Sequence, residues 1–147
     1  MASENINRKI AVIFATDVVG YSTSMEANEV QTLKNLKACK KILDDLFIQH
    51  GGHVFNTAGD SVLAEFSSAV SAVVCASEFQ KLISERNKSV ENFQKMEFRI
   101  GINMGDVVKE DGNLYGEGVN IAARLEALSK PNGICLSKNI YELVKTK

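Results

Sequence analysis

The sequence predicts an α+β fold, an antiparallel sheet with helices on one face, built in the order β-α-β-β-α-β with further elements appended. Three observations carry the prediction. An apolar, β-branched run opens the chain and stops at a polar turn. A strand pair about Gly59-Asp60 follows a long helical segment, and a second strand-turn unit then leads into another helix. At 147 residues, 45% of them hydrophobic and only one a proline, the chain has the size and composition of a single domain, 1–147, able to bury a core.

Lys9–Thr16, KIAVIFAT, reads as a central strand covered on both faces and ending at Asp17. Between Ser24 and His50 the residues Val30, Leu33, Leu36, Ile42, Leu43, Leu46 and Phe47 recur at helical spacing, which predicts one long amphipathic helix stopped by Gly51-Gly52. Phe55–Phe66, FNTAGDSVLAEF, reads as two short strands about a polar turn. Ser67 is the expected N-cap of a helix carrying Ala69, Val73, Val74, Phe79, Leu82 and Ile83, and Glu85–Gln94 the expected surface loop. Met96–Val108 alternates as a strand does, and Asp111-Gly112 reverses the chain into a short return strand. Glu117–Leu128 reads as a helix closed by Pro131-Asn132-Gly133, Ile134–Leu136 as a short strand, and Ser137 as the cap of a last helix. This order is the split βαβ, or ferredoxin-like, arrangement.

Composition narrows the partners. Lys and Arg together number 17 against 18 for Asp and Glu, so no net field recruits nucleic acid or an anionic membrane. Cys39, Cys75 and Cys135 are odd in number, widely spaced and set in apolar patterns, which suits buried thiols in a reducing compartment. No apolar run approaches the ~20 residues of a membrane span, and the N-terminus has no apolar signal core, so the expected location is cytoplasmic.

The chemistry is expected where two carboxylates meet. In the split βαβ topology the end of the first strand and the hairpin turn lie on one edge of the sheet, so Asp17 and Asp60 converge. Two carboxylates in one place repel, which is expected to raise at least one pKa, unless a cation sits between them. Oxygen ligands of this kind suit Mg²⁺ or Mn²⁺, and a two-metal site clamping attacking and leaving oxygens would follow. Hairpin chemistry alone also accounts for Gly59-Asp60. The loop after Asp17, formed by Val18, Val19, Gly20, Tyr21 and Ser22, offers backbone N–H groups and a helix start suited to phosphate oxygens. Asn120 and Arg124 stand one helical turn apart and can touch one small group together. The same pair is also ordinary helix surface, with Arg124 partnered by Glu117 or Glu126.

Taken in order, FATDVVGYS, AGDSVLAEF, FRIGINMGDV, NLYGEGVNIAARLEAL and PNGICLS resemble the catalytic domain of class III adenylyl and guanylyl cyclases, particularly the bacterial forms. The resemblance runs from about Lys9 onward. It implies the class III cyclase fold and a homodimer with two sites at the subunit interface. Asp17 and Asp60 of one chain would hold two Mg²⁺ or Mn²⁺ ions. Asn120 of the other would orient the ribose, and Arg124 would neutralise the α-phosphate as a nucleoside triphosphate cyclises and pyrophosphate leaves.

It also implies that Asn56 and Asn113 occupy the purine-reading positions, where adenylyl members commonly carry Lys and Asp, and guanylyl members usually carry Glu at the first. An Asn amide both donates and accepts, so it discriminates weakly; turn chemistry is the alternative for both residues. ATP is the substrate expected from the resemblance, ahead of GTP. The family pattern continues past Lys147 into another strand pair, so the chain is expected to be C-terminally truncated. The competing reading is a lapsed cyclase that serves as a nucleotide-binding or dimerising regulatory module.

Overall fold

In the computed structural model, which describes residues 6–147, the chain forms β1 (Ile6–Val18), α1 (Tyr21–Ala27), α2 (Glu29–His50), β2 (His53–Ala58), β3 (Ser61–Phe66), α3 (Ala69–Lys88), a single 3-10 turn (Asn92–Gln94), β4 (Phe98–Glu110), β5 (Asn113–Tyr115), α4 (Glu117–Leu128), β6 (Ile134–Leu136) and α5 (Lys138–Val144). The sheet order is β2-β3-β1-β4-β5, with β6 paired to β4. The four core strands thus run β2-β3-β1-β4, the split βαβ arrangement. All pairings are antiparallel except β4 with β6, where Ile100 faces Ile134 and Ile102 faces Leu136 in parallel.

Several boundaries differ from the sequence expectation, each for a local reason. The long helix is two helices: Asn28 leaves the helical region at φ −161°, and its side chain accepts from the Gln31 N–H. An Asn that caps competes with helix continuation. The Thr32 hydroxyl then donates to the Ser24 carbonyl at 2.9 Å and ties the two helices together. β1 does not stop at Asp17, because Asp17 and Val18 still pair with Arg99 and Phe98. Ser68 rather than Ser67 caps α3, accepting from the Ser71 N–H. α3 also runs on through Lys88, into what the polarity of Glu85–Gln94 suggested was loop.

The larger correction concerns the layers, since helices cover both faces. On one face Val12, Phe14, Phe66, Ile100 and Ile102 meet α2, α3 and α5 in a core that includes Phe47, Phe79 and Ile140. On the other, Ala11, Ile13 and Ala15 of β1 pack with Val107, Leu114, and Val119 and Ala122 of α4. A strand sends alternate residues to opposite faces, so β1, central and apolar throughout, needs cover on both sides. Phe55 of β2 and Leu63 of β3 also pack against this second cluster. Cys39 and Cys75 are buried free thiols, and burial raises both pKa values, that of Cys75 to about 12.

Candidate active site

Register explains how Asp17 and Asp60 meet. Thr16 of β1 pairs with Val62 of β3, so continuing the ladder sets Asp60 opposite Val18. Gly59 takes φ +59° in the two-residue turn between Ala58 and Ser61, a conformation cheap only for glycine. The Asp60 carboxylate turns back onto β1 and accepts the Val18 N–H through Oδ2 at 2.9 Å. Asp17, one residue away, points to the α4 face with Ala15 and Ile13, since residues i and i−2 share a face. The two carboxylates lie close enough for the charge of Asp60 to raise the pKa of Asp17.

That repulsion is not the main cause of the shift. Burial raises the Asp17 pKa most, Asp60 adds to it, and Glu126 and Arg99 oppose it. Glu126 is the residue that sequence reasoning missed, having been considered only as a partner for Arg124. It is 8% exposed, its carboxyl lies within hydrogen-bonding reach of Asp17, and burial followed by the Asp17 charge pushes its pKa up to about 7. The signal was present: Val119, Ala122 and Glu126 fall at i, i+3 and i+7, so a carboxylate sits in the apolar stripe of α4.

Glycine lets α4 come this close. A Cβ on Gly101 of β4 would meet the Glu126 backbone nitrogen at 2.3 Å and the Ala122 carbonyl oxygen at 2.5 Å. The helix backbone therefore lies directly on the strand. Asn103, buried two residues on, donates to the Gly118 carbonyl at 3.0 Å and secures the N-terminal end of α4.

Asn120 and Arg124 are exposed, on the far side of α4 from the sheet. At 100° per residue, Arg124 is displaced ~160° around the helix from Glu126. Its guanidinium lies 3.7 Å from Glu117, and both side chains are largely exposed. Within one chain, then, Asp17 and Asp60 are brought together, while Asn120 and Arg124 share a helix face directed elsewhere.

In the loop, two N–H groups are already engaged: Val18 with Asp60, and Val19 with the Glu97 carbonyl at 2.8 Å. The segment left to face a phosphate is Gly20, Tyr21 and Ser22, at the start of α1. A cleft of about 790 Å³ opens beside Val18, Val19 and Ser24 and is rimmed by Lys81, Lys88 and Lys95. Asn56 is exposed on β2, and Asn113, half-buried at the start of β5, accepts the Leu114 N–H through Oδ1 at 2.8 Å.

The family model for the "Adenylate and Guanylate cyclase catalytic domain" matches residues 2–147. The chain belongs to this family. A Rhizobium meliloti (strain 1021) protein named "Putative adenylate cyclase 3" is 45% identical over 145 residues, covering 98% of this chain and 25% of its own length. A Streptomyces coelicolor adenylate cyclase is 30% identical over 146 residues, covering 98% of this chain and 36% of its own. The chain therefore spans roughly a quarter to a third of these relatives. Among solved structures, an adenylate/guanylate cyclase/hydrolase from Silicibacter pomeroyi superposes with TM-score 0.89 at 39% identity, over 97% of this chain and 83% of that one. The guanylyl cyclase Cya2 does so with TM-score 0.83 at 27% identity, over 93% and 79%. Nucleotide cyclase chemistry is thus the domain's family activity, on the class III cyclase fold. Among the described residues no helix is long and apolar enough to cross a membrane.

Proposed function

We propose that this domain converts ATP to the 3′,5′-cyclic nucleotide and pyrophosphate at sites shared between two copies of the chain. The observation that carries the reading is the separation of its functional residues. Asp17 and Asp60 converge at the sheet edge, whereas Asn120 and Arg124 face outward from α4. Two copies reconcile the two groups, each lending its α4 surface to the other's carboxylates.

Divalent cations suit the donors. Asp17 Oδ1 is buried without a hydrogen-bond partner, and a buried acceptor left open calls for an ion or a water. Asp17 and Asp60 would hold Mg²⁺ or Mn²⁺, which would supply Lewis-acid polarisation of the phosphate and a more acidic 3′-hydroxyl. The remaining work is done by side chains and backbone. Gly20, Tyr21 and Ser22 receive phosphate oxygens, Asn120 orients the ribose, and Arg124 meets the charge growing on the α-phosphate.

ATP is favoured over GTP by the names of the Rhizobium and Streptomyces relatives. The base-reading pair contributes little. Asn113 Oδ1 accepts from the Leu114 N–H and keeps a second lone pair, so its amide offers a purine both a donor and an acceptor and discriminates weakly.

The test is complementation between two variants, assayed with ATP and GTP in parallel. Asp17→Ala and Arg124→Ala are each expected to abolish cyclisation. Mixed with subunit exchange, half the dimers become heterodimers with one intact site, so activity should return to roughly a quarter of the wild-type level if pairing is random. Continued inactivity despite demonstrated exchange would rule out the shared site, and cyclic GMP as the main product would rule out the ATP assignment.

A further inference from the structure

We infer that Glu126 is a positioning residue for Asp17, holding its carboxylate in the orientation that a divalent cation requires. The inference rests on the cation-binding reading of Asp17 and Asp60 and extends it to the other side of the α4–sheet contact.

The placement of Glu126 is built in at three levels. Its helical phase puts it on the buried stripe with Val119 and Ala122. Gly101 removes the side chain that would otherwise hold the α4 backbone off β4 at this point. Asp17 and Arg99 are a cross-strand pair, so the side chain beneath Glu126 is flanked by a guanidinium. Arg99 Nε is buried with no hydrogen-bond partner, and its charge acts on both Asp17 and Glu126. A buried carboxyl is costly unless its neighbours use it; here the neighbour is the residue that must present an oxygen to the ion.

The role assigned to Glu126 acts on the ligand rather than on the ion. Among the described residues, no group of three or more His, Cys, Asp or Glu side chains is set to hold one metal ion. Its role is that of an outer partner, which fixes a ligand's rotamer and is typically worth about 10–100-fold in metal affinity. What the role needs is reach and a hydrogen-bonding head, not a negative charge.

Two conservative substitutions separate these requirements, with Mn²⁺ alone as the probe and bound ion measured by the loss of free-Mn²⁺ electron paramagnetic resonance signal. Glu126→Gln keeps reach and hydrogen bonding without the charge, and should bind Mn²⁺ within about threefold of wild type. Glu126→Asp keeps the charge but withdraws it by one methylene, and should bind about tenfold more weakly. Wild-type affinity in Glu126→Asp overturns the positioning role. A loss in Glu126→Gln as large as that in Glu126→Asp also overturns it, making the charge itself the requirement. Absence of Mn²⁺ binding by the wild-type chain, or unchanged binding in Asp17→Asn, takes down the underlying cation reading and this inference with it.

Discussion

The two faces of the sheet are built on different principles. One is thick and aromatic: Phe14, Phe47 and Phe66 meet with ring centroids 5.2–5.8 Å apart, and Phe79 stacks edge-on against Phe98 at 5.0 Å. The other is thin, made of Ala11, Ile13, Ala15 and a single helix lying backbone to backbone on β4. Of the polar residues of the candidate site, Asp17, Arg99 and Glu126 belong to the thin face, while Asp60 comes from the β2–β3 turn, opposite Val18. Large side chains supply stability wherever they are buried. A polar site instead needs small neighbours, so that a helix can bring one carboxyl to another. Cohesion and chemistry have been separated by the strand's two-residue period.

Phe66→Ala is the sharpest way to break that comparison. Phe66 is 1% exposed and touches both Phe14 and Phe47, so its truncation should cost about 3–5 kcal/mol. Denaturant titration would measure the loss, while Mn²⁺ affinity per folded molecule should stay at the wild-type level. A parallel fall in affinity would mean that the faces are not independent.

Gly101→Ala attacks the thin face. The added methyl meets backbone atoms of α4 rather than a flexible side chain, so overpacking should cost about 1–3 kcal/mol. Unlike Phe66→Ala, it should also weaken Mn²⁺ binding, by moving Glu126 away from Asp17. Calorimetry and Mn²⁺ titration on the same sample would separate the two effects.

pH offers a gentler probe of the same contact. In the fold the Glu126 pKa stands at about 7, against an ordinary 4.5. Between those values the native state keeps a proton that the unfolded chain has lost. The contribution of Glu126 is therefore fully present below about pH 4.5 and is lost as pH rises through about 7. Metal-free wild type should lose stability relative to Glu126→Gln across that interval. Parallel melting curves would contradict the buried pairing with Asp17.

The smallest structural effect is expected at Arg124. Its contact with Glu117 is long and solvent-exposed, so Arg124→Ala should change stability by less than about 0.5 kcal/mol. Cyclisation should nevertheless fall by about 100-fold or more, the scale of losing one charge-stabilising group. Equal losses in stability and activity would make Arg124 structural.

Much of this was legible in the sequence, because it depends on short-range rules. Among the described residues, apolar patterns and turn residues together located each strand and all but one of the α-helices. Gly59-Asp60 announced the hairpin, and strand order then brought Asp17 and Asp60 to one edge. The break at Asn28 escaped because one capping residue outweighs a continuous apolar pattern only through its own hydrogen bond to Gln31. The helix on the second face escaped because a fully apolar strand such as β1 implies two covers without naming them. Glu126 escaped for a longer-range reason. That it faces inward follows from its spacing in α4, but what it faces depends on Gly101, 25 residues earlier, and on the β1–β4 register that sets Asp17 beside Arg99. Spacing along one helix determines which way a side chain points; only the packing of that helix on the sheet decides what it touches, and hence that a buried glutamate meets a half-buried aspartate.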